Sequence, residues 1–227
     1  LISLGGSAAI LPERWIEATK RIFHKFMKIY KVVVGSLDTN CYIVASEKKS
    51  AFIVDPGDDV ARIRKVLDDE KLRAQFIVNT HGHIDHIKAD ADLKLPVYIH
   101  ENDGDLVRDP EKNLMTTFFG SFKPVIPQRL LKDGDTIELD EMVFKVIHTP
   151  GHTRGGICLW NAEVLFSGDT LFRDGVGRTD FPGASSELLG QSLKKLSALD
   201  PAVRVYPGHG ASTSVGRELG DLRGRDG

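Results

Sequence analysis

Apolar residues in this chain gather in short runs separated by glycine, proline, aspartate and lysine, and the runs obey two different periods. Short apolar blocks at 29–34, 41–45 and 51–54 predict three strands in quick succession. Residues 58–72 change period: Val60, Ile63, Val66 and Leu67 fall on one helical face and the charges on the other. A strand at 75–79 follows, then a helix over 84–93, a strand at 97–99 and a helix near 101–107. The segment 101–135 carries the weakest pattern, although it holds Phe118, Phe119 and Phe122; the Phe118 and Phe119 pair is expected in the core or in a lid. Strands return at 136–139, 142–147, 157–160 and 163–166, a helix spans 185–199, and a last strand occupies 203–206. A run of strands that then alternates with helices, with that order repeated, suits an α/β protein of two sheets packed face to face with helices outside.

The ends of the chain read differently from its middle. Residues 1–26 begin small and apolar with a Gly-Gly-Ser break, and 12–26 have the spacing of a short amphipathic helix with Pro12 in its first turn. We read 1–26 as an N-terminal extension, 27–216 as one folded domain, and 217–227 as a flexible tail of low apolar content. A chain of 227 residues can bury a full core, and its 41% hydrophobic and 27% charged content is that of a globular domain, not a disordered one. The formal net charge of −2, with basic residues scattered, argues against a nucleic-acid or membrane surface. No apolar run approaches the ~20 residues needed to span a bilayer. The first residues lack the basic segment and apolar core of a secretory signal. Cys41 and Cys158 sit in strand-like sequence and are expected as buried free thiols, which suits a reducing compartment and a cytoplasmic location. Oligomeric state leaves no mark in the pattern.

The candidate chemistry lies where the strands stop. Directly after Phe76-Ile77-Val78 comes Thr80-His81-Gly82-His83-Ile84-Asp85-His86, with three imidazoles and a carboxylate in a single turn. Three more segments share its grammar of strand, glycine turn, then one His or Asp: Thr149-Pro150-Gly151-His152-Thr153, Ser167-Gly168-Asp169-Thr170 and Tyr206-Pro207-Gly208-His209-Gly210. Neutral imidazole and carboxylate are ligands for zinc-like ions, and a carboxylate has two oxygens with which to bridge. A pair of divalent ions lowers the pKa of bound water to about 7, so a bridging hydroxide can serve as the nucleophile without a Ser, Cys or Lys. Of the remaining histidines, His24 and His100 lie outside these segments, and His148 sits at a strand end where packing is the expected role. The turns Gly155-Gly156 and Gly175 to Gly177 are expected as plain turns.

At these residues the sequence resembles the metallo-β-lactamase-fold hydrolases. The His-x-His-x-Asp-His run at 81–86, His152, Asp169 and His209 match, as does the earlier turn Asp55-Pro56-Gly57. The resemblance implies an αββα four-layer sandwich of two mixed sheets. It implies one ion held by His81, His83 and His152, a second by Asp85, His86 and His209, and Asp169 bridging them. Zinc is the expected metal, with iron and manganese also suited. Asp85 is a ligand that can also orient the hydroxide, and Asp55 is expected to brace the ligand loop from behind.

Within that superfamily Gly168 to Phe172 and Thr149 to Thr153 are similar to the glyoxalase II branch, which implies hydrolysis of a small thioester. There Arg178 takes the place of a lysine that helps hold the glutathione carboxylate. The tyrosine expected two residues later is Asp180, an acid that disfavours an anionic thiol carrier and is expected to pair with Arg178 or Arg173. The stretch Gly177-Arg178-Thr179-Asp180-Phe181 also resembles the persulfide dioxygenases, in which His81, His152 and Asp169 would hold one iron. At 227 residues the chain is expected to lack the large inserted domain of the superfamily's nucleases.

Overall fold

A computed structural model describes residues 27–113 and 122–222. The expectations for 1–26, His24, Phe118, Phe119 and 223–227 lie outside the described residues.

The first sheet contains β1 (Met27–Val34), β2 (Thr39–Ser46), β3 (Ser50–Val54), β4 (Arg73–Val78), β5 (Val97–His100) and β6 (Arg129–Leu131), ordered as numbered. The β1–β2 and β2–β3 pairs are antiparallel, and the β3–β4, β4–β5 and β5–β6 pairs are parallel. The second sheet is built from β7 (Thr136–Leu139), β8 (Met142–His148), β9 (Ile157–Trp160), β10 (Val164–Gly168), β13 (Arg204–Pro207) and β14 (Thr213–Ser214). Its order is β14-β13-β10-β9-β8-β7. A small hairpin, β11 (Leu171–Phe172) and β12 (Gly175–Val176), stands between β10 and β13 in sequence.

The period of two along each strand explains the layers. Side chains alternate faces, so Tyr42, Val44, Phe52, Val54, Phe76 and Val78 of the first sheet meet Phe144, Val146, Ile157, Leu159, Val164 and Phe166 of the second. The intervening residues point outward. Cys41, Ile43, Ile53 and Ile77 pack against Ile63 of α1 (Val60–Asp69). Cys158, Leu165 and Val205 pack against Leu196 of α4 (Ser186–Ser197). The result is the expected α/β/β/α sandwich. Every residue of β2 is buried because it is covered on both faces. Cys41 and Cys158 are buried free thiols, as expected from their strand-like surroundings.

Several elements depart from the sequence pattern. The helix expected over 84–93 is two short ones, α2 (Ile84–Ile87) and α3 (Asp90–Leu93). The break falls where the Ala89 N–H donates to the Pro56 carbonyl at 3.0 Å. The helix expected near 101–107 is a single 3-10 turn, Glu101–Asp103, whose start is held by the Asn102 N–H on Nδ1 of His100. β6 was not foreseen; only Leu131 of its three residues is buried, too short a signal for alternation to register. The expected flexible tail is corrected over 217–222: α5 (Val215–Leu219) and a 3-10 turn, Gly220–Leu222, close this part of the chain. Val215 and Leu219 of α5 bury against Leu196, and Ser214 caps the helix by accepting from the Arg217 N–H. Among the described residues no helix is long and apolar enough to cross a membrane.

β3 and β4 run parallel and end at one edge of the first sheet; β8, β10 and β13 end together at one edge of the second. The two edges are joined. The Asn40 N–H donates to the Gly208 carbonyl at 2.7 Å, and Thr39 forms an isolated bridge with His209.

Candidate metal centre

The loops leaving these strand ends bring all seven expected ligands together. His83 Nδ1 lies 2.9 Å from His152 Nε2. Asp85 Oδ2 lies 3.3 Å from His209 Nε2 and 3.5 Å from His86 Nε2. Asp169 stands between: its Oδ2 is 3.5 Å from His152 Nε2 and 3.6 Å from His209 Nε2, and its Oδ1 is 3.4 Å from His86 Nε2. Three overlapping groups have all donor atoms within 4.8 Å of one another: His81, His83 and His152; His81, His86 and Asp169; Asp85, His86 and His209.

Neighbouring groups fix which ring nitrogen faces inward. His152 Nδ1 lies 2.8 Å from the Arg178 carbonyl, and His209 Nδ1 lies 3.0 Å from the Leu37 carbonyl. A carbonyl only accepts, so each Nδ1 carries a proton and Nε2 is the ring atom turned toward the centre. Asp55 does the same for His86 through Oδ2 at 3.0 Å. The two oxygens of Asp55 also accept from the Thr80 N–H and hydroxyl, each at 2.7 Å, which secures the start of the ligand loop. The Thr80 hydroxyl, having given its proton to Asp55, can accept from His81 Nδ1 at 3.2 Å.

The donor set fits a cation. His81 Nε2, His86 Nε2 and Asp169 Oδ1 are buried without a hydrogen-bond partner among the described residues. Each such orphan costs about 1–3 kcal/mol, so three converging on one place call for a shared ligand. Charge points the same way. Burial opposes a proton on His86, yet Asp85, Asp169 and Asp55 outweigh it and raise this imidazole to about 10. Burial tends to raise the Asp85 carboxyl, but His86 and His209 hold it below the usual carboxylate range. Burial and the imidazoles of His86 and His83 push His81 far down, and burial with His152 brings His83 to about 3. Those neutral rings are ready ligands. Gly208 permits the close approach: a Cβ there would sit 2.2 Å from Asp169 Oδ1 and 2.7 Å from His86 Cε1.

Other residues are placed at the rim. The Arg178 guanidinium forks onto Asp180 with two contacts of 2.6 Å and lies 4.1 Å above the Phe181 ring. Arg173 pairs instead with Asp174 at 3.7 Å. The Phe181 ring meets His83 edge-on at 5.7 Å, and Phe172 meets His209 at 6.1 Å. His148 stacks on His100 at 4.0 Å and takes no part in the donor groups. Sequence reading missed the carbonyls of Leu37 and Arg178, and Thr39, whose hydroxyl donates to Asp85 Oδ2 at 3.2 Å. A backbone carbonyl has no side-chain signature by which it could be found.

Two sheets between helices, with buried His and Asp gathered at adjoining strand ends, define a metal-dependent enzyme of hydrolase type. The chain belongs to the metallo-β-lactamase superfamily, whose sequence model matches residues 34–209. A protein of Mycobacterium leprae is 39% identical over 202 residues, covering 81% of this chain and 92% of that protein. Hydroxyacylglutathione hydrolase GloC of Haemophilus influenzae is 31% identical over 85% of this chain and 95% of its own. Among solved structures, the B3 metallo-β-lactamase BLEG-1 superposes with a TM-score of 0.79 at 32% identity, covering 88% of this chain and all of that one (100%). TTHA1623 in a di-iron-bound form gives 0.73 at 36% identity, covering 85% and 96%.

Proposed function

We propose that this protein is a binuclear metal-dependent hydrolase of small thioesters, similar to glyoxalase II. The observation that carries the reading is the position of Asp169, with one oxygen toward His86 and the other toward His152 and His209. A carboxylate so placed can serve His81, His83 and His152 on one side and Asp85, His86 and His209 on the other. Two divalent ions held there, zinc by preference with iron or manganese as alternatives, would supply water activated near neutral pH and a positive field for the substrate carbonyl oxygen. The likeness to GloC supports a thioester as the bond cleaved.

The side chains have separate tasks in this reading. His86, His152 and His209 are held with Nε2 inward, so they would meet an ion without turning. His86, charged at neutral pH beside Asp85, Asp169 and Asp55, would give up its Nε2 proton as the ion binds. Asp85 is steadied by Thr39. Phe172 and Phe181 narrow the mouth with apolar surface. A thiolate with a pKa near 8.5 leaves without a strong protein acid. By the resemblance Arg178 is the residue that would meet a carrier carboxylate, and the Nε and Nη2 side of its guanidinium is already taken by Asp180.

The test is hydrolysis of S-lactoylglutathione followed by thioester absorbance, with Asp169→Ala as control. Turnover in the wild type, lost in the variant together with bound metal, is the expected result. Full activity in Asp169→Ala would remove that residue from the centre. A second reading rests on the stretch Gly177-Arg178-Thr179-Asp180 and uses His81, His152 and Asp169 for one iron. One iron per chain, with oxygen uptake that depends on glutathione persulfide, would favour it.

A further inference from the structure

The loop that carries His81 and His83 and the loop that carries His152 are both tied to one buried carboxylate, Asp103. It ends the 3-10 turn Glu101–Asp103 that follows β5. Its Oδ2 accepts from the Gly82 N–H at 3.1 Å and the Thr153 hydroxyl at 2.7 Å, and its Oδ1 accepts from the Gly155 N–H at 2.7 Å. Gly82 lies between His81 and His83, and Thr153 follows His152. There is little slack in the packing: a Cβ on Gly155 would lie 2.6 Å from the Asp103 carboxyl carbon, and one on Gly82 would lie 2.4 Å from Leu106 Cβ. The donors on the other side have different supports. His86 rests on Asp55, Asp85 on Thr39, and His209 on the Leu37 carbonyl.

We infer that Asp103 is the positioning residue that sets the spacing between the His81–His83 loop and the His152 loop, and so tunes the metal affinity of that half of the centre alone. The inference rests on the binuclear reading proposed above. Asp103 touches no imidazole; it acts through backbone N–H groups and a hydroxyl on either side of the ligands. A buried carboxylate with three donors is costly to remove, because the donors are then left unpaired and the two loops are free to separate. Partners behind metal ligands typically carry about 10–100-fold in affinity.

The experiment is a competition titration of the metal-free full-length protein with cobalt(II), read by the visible spectrum of each bound equivalent and by total metal content. The wild type is expected to take up two equivalents. Asp103→Ala should weaken one of them by about 10–100-fold and leave the other. Asp103→Asn keeps one acceptor oxygen but turns an NH2 toward one of the three donors, so it should weaken the same equivalent by less than Asp103→Ala and leave the other unchanged. If Asp103→Ala does not fold, this smaller, one-sided loss is the result that is read. In a His152→Ala background Asp103→Ala should add nothing, whereas in a His209→Ala background its full effect should persist. Asn161→Ala is the control for general destabilisation. Asn161 caps the β9–β10 turn, accepting from the Glu163 and Val164 N–H groups at the opposite end of β10 from Asp169. It should lower the melting temperature and move neither affinity. Equal weakening of both equivalents by Asp103→Ala, or no weakening, would overturn the role of Asp103. A wild-type protein that binds no cobalt would overturn the binuclear reading instead, and this inference with it.

Discussion

Asp55 occupies left-handed backbone, with φ of 51°, immediately after β3, an uncommon conformation for a residue with a side chain. That turn aims its carboxylate under the ligand loop, where it meets the Thr80 N–H, the Thr80 hydroxyl and His86 Nδ1. Asp55→Ala leaves these three groups unpaired. We expect it to cost about 2–4 kcal/mol in urea unfolding, from the usual penalty for stranded buried donors, and to lower metal content as well. A second residue-scale prediction concerns His100. Burial first, and His148 second, bring its pKa down to about 4. The folded state therefore sheds a proton that the unfolded chain keeps below its ordinary value of about 6.5. The stability tied to neutral His100 is fully present above about pH 6.5 and is lost as pH falls through about 4. Urea midpoints measured across this window should fall less steeply in His100→Asn than in the wild type.

At the scale of elements, the loops matter more than the strands they leave. Gly208 lies between β13 and His209, and a methyl group there would enter the space of Asp169 Oδ1. Gly208→Ala should therefore lower metal content and activity together, while far-UV circular dichroism stays close to wild type. The donors in these loops were legible in the sequence for a physical reason. His81, His83, Asp85 and His86 are too polar to be buried together without a shared task, and each later donor follows an apolar block and a glycine. Asp103 was not legible. It lies in the segment of weakest periodicity, its helix shrank to one turn, and its partners are mainly backbone N–H groups. The split of the helix at Ala89 was hidden for a similar reason, since it depends on the carbonyl of Pro56 arriving from another loop. The closing helix α5 is short, and its Val215 and Leu219 make too brief a stripe to stand out from a polar tail.

At the scale of the whole molecule, the sandwich was readable because β2, β3 and β10 are short, nearly continuous apolar blocks, the mark of strands covered on both faces by a second sheet and by helices. Phe166 sits at its middle, against Tyr42 at 5.2 Å and Phe144 at 5.9 Å between ring centroids. Phe166→Ala should cost about 3–5 kcal/mol in urea unfolding, the usual range for deleting a buried aromatic side chain. Removal of metal by a chelator should lower the melting temperature, since an ion present at about 100 times its Kd contributes about 2.7 kcal/mol through binding only the folded state. The size of that shift bears on how the two sheets are joined. Each donor group draws on both of them: His81 and His83 with His152, and Asp85 and His86 with His209. An ion in either group is therefore a removable cross-link between two halves of the chain, in the manner of a rivet through overlapping plates. Pulled apart along that seam, the loaded protein should resist more force than the chelated one.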